Sequence, residues 1–207
     1  MTNIPRPTEC ANLAELAALL DAADHPARVE WIRSLGRSQQ YALYALAQGN
    51  PVRTDELVRG QGEVVRHIGK NGLLAFTHFQ KRFARMGDQV VGYNQDEFPS
   101  LLRGVAVAVT GPGHFTAYDS PEVPGEVWID YRSLGRAIPE EFPPLVDNEH
   151  GLRALVFGDL VDVLRRVSRH VFIGDSFKGK PRPEPPPWLC RLGRWLPTAP
   201  FVLTQEP

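Results

Sequence analysis

The residues best suited to chemistry in this 207-residue chain fall in one stretch, Val64 to Gly87. It carries Arg66, Lys70, Lys81, Arg82 and Arg85, two histidines (His67 and His78), and no acidic residue. Arginine and lysine supply the charge and directed donors that hold a phosphate or a carboxylate. The whole chain has 23 Lys and Arg against 24 Asp and Glu. Attraction to an anion must therefore come from a local patch rather than from the molecule as a whole.

Within that stretch Lys81 and Arg82 are the expected anion clamp. Lys70 and Arg169 serve as secondary cations, with His67 and Tyr131 as further ligand contacts. His78 and His114 are the expected acid–base groups, because an imidazole titrates near neutral pH. His114 follows Gly111-Pro112-Gly113, a sharp turn that would project it toward a ligand. The same basic residues also read as a solvated helix face, with cations offsetting the negative end of the helix.

Several other chemistries are disfavoured by spacing. Gly69-Lys70-Asn71-Gly72 lacks the Walker pattern, and no Gly-x-Gly-x-x-Gly occurs, so a nucleotide fold is not expected. Gly174-Asp175-Ser176 is not the strand-to-helix elbow of a serine hydrolase. The six histidines are dispersed, and Cys10 and Cys190 stand near opposite ends of the chain. No metal site, disulfide framework or named cofactor follows. The start of the chain lacks a basic region followed by an apolar run, and no apolar segment reaches the ~20 residues of a membrane span. A reducing cytoplasm is the expected compartment.

The elements that must position these groups read as α+β: an N-terminal helical subdomain (1–60) packed on a mostly antiparallel sheet (61–207), with one long helix in the C-terminal half. Leu13, Leu16, Ala17, Leu19 and Leu20 recur near a 3.6-residue period, with Asn12 as cap. Two more short helices follow, one opening near Pro26 and one carrying Tyr41 to Ala47. Phe76, Phe79, Phe83 and Met86, at steps of three and four, predict a helix over 73–86, with His78, Lys81, Arg82 and Arg85 on its opposite face. Strands are expected at 64–65, 89–93, 104–110, 115–118, 126–131, 170–173 and 201–204. Leu152, Leu155, Val156, Leu160, Val163, Leu164 and Val167 predict a helix over 151–168. Residues 181–187 (Pro-Arg-Pro-Glu-Pro-Pro-Pro) predict an extended connector.

Function divides three ways on this reading. An acidic or phosphorylated small ligand in a basic pocket comes first. A protein partner docking on the N-terminal helices or on 181–187 comes second. A nucleic-acid-associated module, using the basic residues with Phe76, Phe79, Tyr93 and Phe115, comes third.

Overall fold

A computed structural model describes residues 4–72, 77–96, 111–149, 153–178 and 199–207. Eight strands follow one another as antiparallel neighbours: β1 (Val64–Asn71), β2 (His78–Met86), β3 (Gln89–Asp96), β4 (Gly113–Asp119), β5 (Val127–Asp130), β6 (Leu160–Arg166), β7 (Val171–Lys178) and β8 (Phe201–Gln205). β1 pairs with both β2 and β8, so the sheet closes into an up-and-down barrel with no free edge. This corrects the α+β expectation. The sheet is continuous, and among the described residues α-helices account for three short segments plus one turn, α4 (Arg153–Val156).

The helix expected over 73–86 is strand β2 in its described part, and the helix expected over 151–168 is one helical turn, α4, followed by strand β6. In β2 the spacing of Phe79 and Phe83 is four residues, which satisfies a strand's period of two as well as a helical turn. Phe79, Lys81 and Phe83 point into the barrel, whereas Arg82 and Ala84 lie on its outer face. In β6, Leu160 and Leu164 face the interior while Val161 and Val163 pack outside against Trp128. Both faces are covered, so the apolar run shows no alternation and mimics a helical stripe. The segment Gly69-Lys70-Asn71 belongs to strand, since β1 runs on through Asn71. The 104–110 strand and the 181–187 connector lie outside the described residues.

An eight-stranded barrel is just wide enough for side chains to fill it, and here aromatic rings do most of the filling. Phe79, Phe83, Phe115, Tyr131, Phe157, Phe172 and Phe201 share one buried cluster. Room is made by glycines directly across from rings: Gly69 opposite Phe79, Gly92 opposite Phe115 and Gly174 opposite Phe201. A Cβ added at any of the three would meet the facing ring inside 3.0 Å. Residues 52–58 plug one end, where Val52, Leu57 and Val58 join the interior cluster. Arg85 binds Asp55, and Arg166 binds Glu56 at 3.0 Å, fastening the plug to the strands.

Helices α1 (Leu13–Ala22), α2 (His25–Ser34) and α3 (Arg37–Leu46) lie on the outside of β1, β7 and β8. Asn12 caps α1 by accepting from the Glu15 N–H, and Asp24 caps α2 by accepting from the Ala27 N–H, with Pro26 in the first turn. Leu16, Leu20, Ile32, Leu35 and Leu43 bury themselves against Ile68, Val171, Ile173 and Val202. Each helix has only ten residues, too few to persist alone, so this apolar contact holds the layer in place. Among the described residues no helix is long and apolar enough to cross a membrane.

One group in this layer is pH-sensitive. Asp175 points outward from β7 and is 7% exposed; its carboxylate accepts from the Ser176 N–H. Burial, with some help from the Asp162 charge, raises its pKa from 3.8 to about 7, while the Ser176 N–H, Arg37 and Arg165 pull the other way. The folded protein thus keeps a proton that the unfolded chain releases near pH 4. Stability contributed by Asp175 is fully present below 3.8 and is lost as pH rises to about 7. Asp175→Asn is expected to remove about one proton's worth of slope from the unfolding free energy over that window, as read by urea titrations at successive pH values. An unchanged slope would show that Asp175 titrates normally.

Candidate functional site

Strand alternation divides the basic stretch 64–87 between two faces of the wall. Lys81 and its cross-strand partner His67 enter the barrel, and Arg82 and its partner Arg66 stay outside. The expected Lys81/Arg82 clamp is thus separated by the sheet itself, because adjacent residues of a strand cannot share a face.

Inside, Lys81 is 1% exposed. Its ammonium donates to Asn94 Oδ1 at 2.9 Å, to Asp162 Oδ2 at 2.9 Å and to the Tyr131 hydroxyl. An ammonium has three protons, so these three acceptors account for all of them. Tyr131 also donates to Asp162, and Ser176 Oγ donates to its other carboxylate oxygen at 2.7 Å. The rings of Phe79, Phe115, Tyr131 and Phe201 surround the ammonium at 4.9–5.6 Å. Phe157 stacks on Tyr131 at 5.4 Å, covering the network from the end opposite the plug. His67 lies deeper, against Phe83 and Phe172, and bonds the Leu57 carbonyl of the plug at 3.1 Å. Burial lowers its pKa to about 4, which keeps it neutral.

Other expected site residues are spread around the wall. Lys70 donates to the Arg33 carbonyl and ties β1 to the end of α2; burial lowers its pKa. The Arg169 backbone N–H donates to Asp21, tying the β6–β7 turn to α1. His114 lies on the outer face of β4 beside Tyr93, with Nε2 3.2 Å from the Pro144 carbonyl. It is 1% exposed, covered by the segment that follows β5. His78 opens β2 at the end opposite the plug. The structure therefore does not bring His78, His114 and the clamp cations to one point.

It does assemble a different basic site on the outer wall. Arg66 and Arg82 face each other across β1 and β2, and Arg59, from the segment leading into β1, joins them around a cavity of about 220 Å³. Val64, Val65, Glu141, Glu206 and Pro207 complete the lining. Arg59 pairs with Glu63 at 3.2 Å, and Arg66 pairs with Glu206 at 2.5 Å. Arg82 forms no ion pair among the described residues. One of its terminal nitrogens reaches Gln80 at 3.4 Å, its Nε is buried without a partner, and its guanidinium sits 5.9 Å from the Tyr93 ring centre. Like charges directly opposite on neighbouring strands repel, and the Glu206 carboxylate beside Arg66 offsets part of that repulsion.

Arg82 is conspicuous within the basic stretch, and its partners become visible only in the fold. Arg66 stood in the same basic stretch, yet its pairing depends on strand register. Arg59 and Glu206 are 147 positions apart in the chain and meet only because β1 and β8 close the barrel. Asp162, set in the apolar run 160–164, is the available sign in the sequence of a buried acid.

Among the described residues no group of three or more His, Cys, Asp or Glu side chains could hold a metal ion. No protein-family model, curated protein or solved structure matches the chain.

Proposed function

We propose that this protein binds a small anionic ligand in the groove formed by Arg59, Arg66 and Arg82. The observation that carries the reading is the cross-strand pair of arginines lining a cavity, one of them without a carboxylate of its own. Arginine is suited to this task because its planar fork presents paired donors to a carboxylate or phosphate and stays charged at any physiological pH. The groove lies on a rigid closed sheet, which lowers the ordering cost of binding. The interior network plays the supporting part: its charges are mutually satisfied, and it fixes the register of the strands that display Arg66 and Arg82. The low cysteine content supports work in a reducing cytoplasm.

Thermal unfolding with and without inorganic phosphate tests the proposal. Phosphate at 100 times its dissociation constant is expected to add about 2.7 kcal/mol of stability, visible as a raised Tm. Arg82→Ala is expected to weaken that response at least about tenfold in phosphate concentration, with the Tm in the absence of phosphate little changed. A response that is absent from the native protein, or equally strong in Arg82→Ala, would refute the groove as the site.

A further inference from the structure

Two carboxylates of the chain, Glu141 and Glu206, line the groove, and Glu206 is the one paired with a groove arginine. The Glu206 carboxylate is 2.5 Å from Arg66 Nε, and its carbonyl oxygen accepts from Arg59 at 2.9 Å. Its backbone N–H donates to the Arg66 carbonyl at 2.9 Å, extending the β8–β1 ladder by one rung. Its second carboxylate oxygen lies 3.9 Å from His25 Nε2. Glu206 thus satisfies Arg66 and Arg59 but leaves Arg82 without a carboxylate.

We infer that Glu206 is a tethered competitor that makes this groove select phosphoryl groups over simple carboxylates; the inference rests on the anion-binding reading above. A tethered carboxylate acts at an effective concentration in the millimolar range or above without losing translational freedom again. A free monocarboxylate offers the same group and a single charge, so it displaces Glu206 poorly. A phosphoryl group carries a charge of about −1.5 to −2 and three acceptor oxygens. Directly opposed residues on antiparallel strands have Cβ atoms about 4.5–5.5 Å apart, so one tetrahedral anion can take donors from both Arg66 and Arg82. It gains the Arg82 contact that Glu206 does not make. The cavity of about 220 Å³ equals roughly seven water volumes, room for a phosphoryl group and a small substituent.

The test is calorimetric titration of the full chain with inorganic phosphate and with acetate, at matched pH and ionic strength. Native protein is expected to bind phosphate at least about tenfold more tightly than acetate. Glu206→Gln, which keeps the backbone rung and removes the charge, is expected to tighten phosphate by roughly tenfold and to reveal acetate binding. Arg82→Ala in the Glu206→Gln background should leave the two anions nearly equal, since Arg82 supplies the contact that acetate cannot use. Circular dichroism verifies that each variant is folded. Acetate binding as tightly as phosphate to the native protein would overturn the selectivity. Unchanged phosphate affinity in Glu206→Gln would overturn the competitor role while leaving the groove standing. No phosphate binding to any folded variant would overturn the groove itself, and the inference with it.

Discussion

Removing either half of the buried Lys81–Asp162 pair is expected to cost about 3–5 kcal/mol of stability, because the surviving charge is left uncompensated in a site with almost no water. The pair sits 2.9 Å apart with side chains 2% and 3% exposed. Lys81→Met would leave the Asp162 carboxylate with its Tyr131 and Ser176 hydroxyl donors, and Asp162→Ala would leave the ammonium with Asn94 and Tyr131 as acceptors. Some of the ammonium's electrostatic support comes from the four surrounding rings, cation–π contacts worth on the order of 2 kcal/mol when desolvated. That support is indifferent to Asp162, which makes Asp162→Ala the milder of the two losses. The double variant Lys81→Met/Asp162→Leu is expected to recover most of the deficit, since it removes both charges and fills the space with apolar volume. Urea unfolding of the four proteins reads the coupling directly. Single variants within about 1 kcal/mol of the native protein would show the pair to be solvated and uncoupled.

Alanine at Gly92 is expected to destabilise the protein by about 3 kcal/mol, the upper part of the usual range for overpacking. The added methyl would meet two things inside 3.0 Å: the Phe115 ring and the Arg82 carbonyl oxygen of the neighbouring strand. A ring can swing or be trimmed, but a backbone carbonyl in the ladder moves only if the strand moves. At Gly174 and Gly69 the three nearest atoms are all ring atoms, of Phe201 and Phe79. Their alanine variants should cost about 1–3 kcal/mol. Pairing Gly174→Ala with Phe201→Leu should restore part of the loss, whereas pairing Gly92→Ala with Phe115→Leu should not. Equal rescue at both positions would mean that the β2–β3 backbone yields, and that the ring contact alone limits Gly92.

This dependence on facing residues also explains which parts of the fold could be read from the chain. The helical layer was legible because its signals are local: Asn12 beside the turn it caps, Pro26 in a first turn, leucines at helical spacing. β4 and β5 were legible for the same reason, the strands expected at 115–118 and 126–131 overlapping the observed antiparallel pair. β2 and β6 were misread because their patterns depend on what lies across from them. Phe79 and Phe83 fit a helix and a strand equally well, and Lys81 between them becomes an interior residue only when Asp162, 81 positions away, faces it. In β6 the outer face is buried against Trp128 as fully as the inner face is buried in the barrel, which erases the alternation that marks a strand.

The basic stretch 64–87 shows where composition ends and topology begins. Residue order alone makes this stretch cationic, leaves it without an acid to neutralise the charge, and places short capped helices ahead of it. Which of its cations act together is set by strand pairing. The pleat sends Lys81 and His67 inward and Arg82 and Arg66 outward, so neighbours in sequence become members of different environments. Barrel closure then brings Arg59 and Glu206 to the outer pair. Side-chain type is a property of each residue, but the sharing of one ligand is a property of register, and register is set by pairings that span the length of the chain.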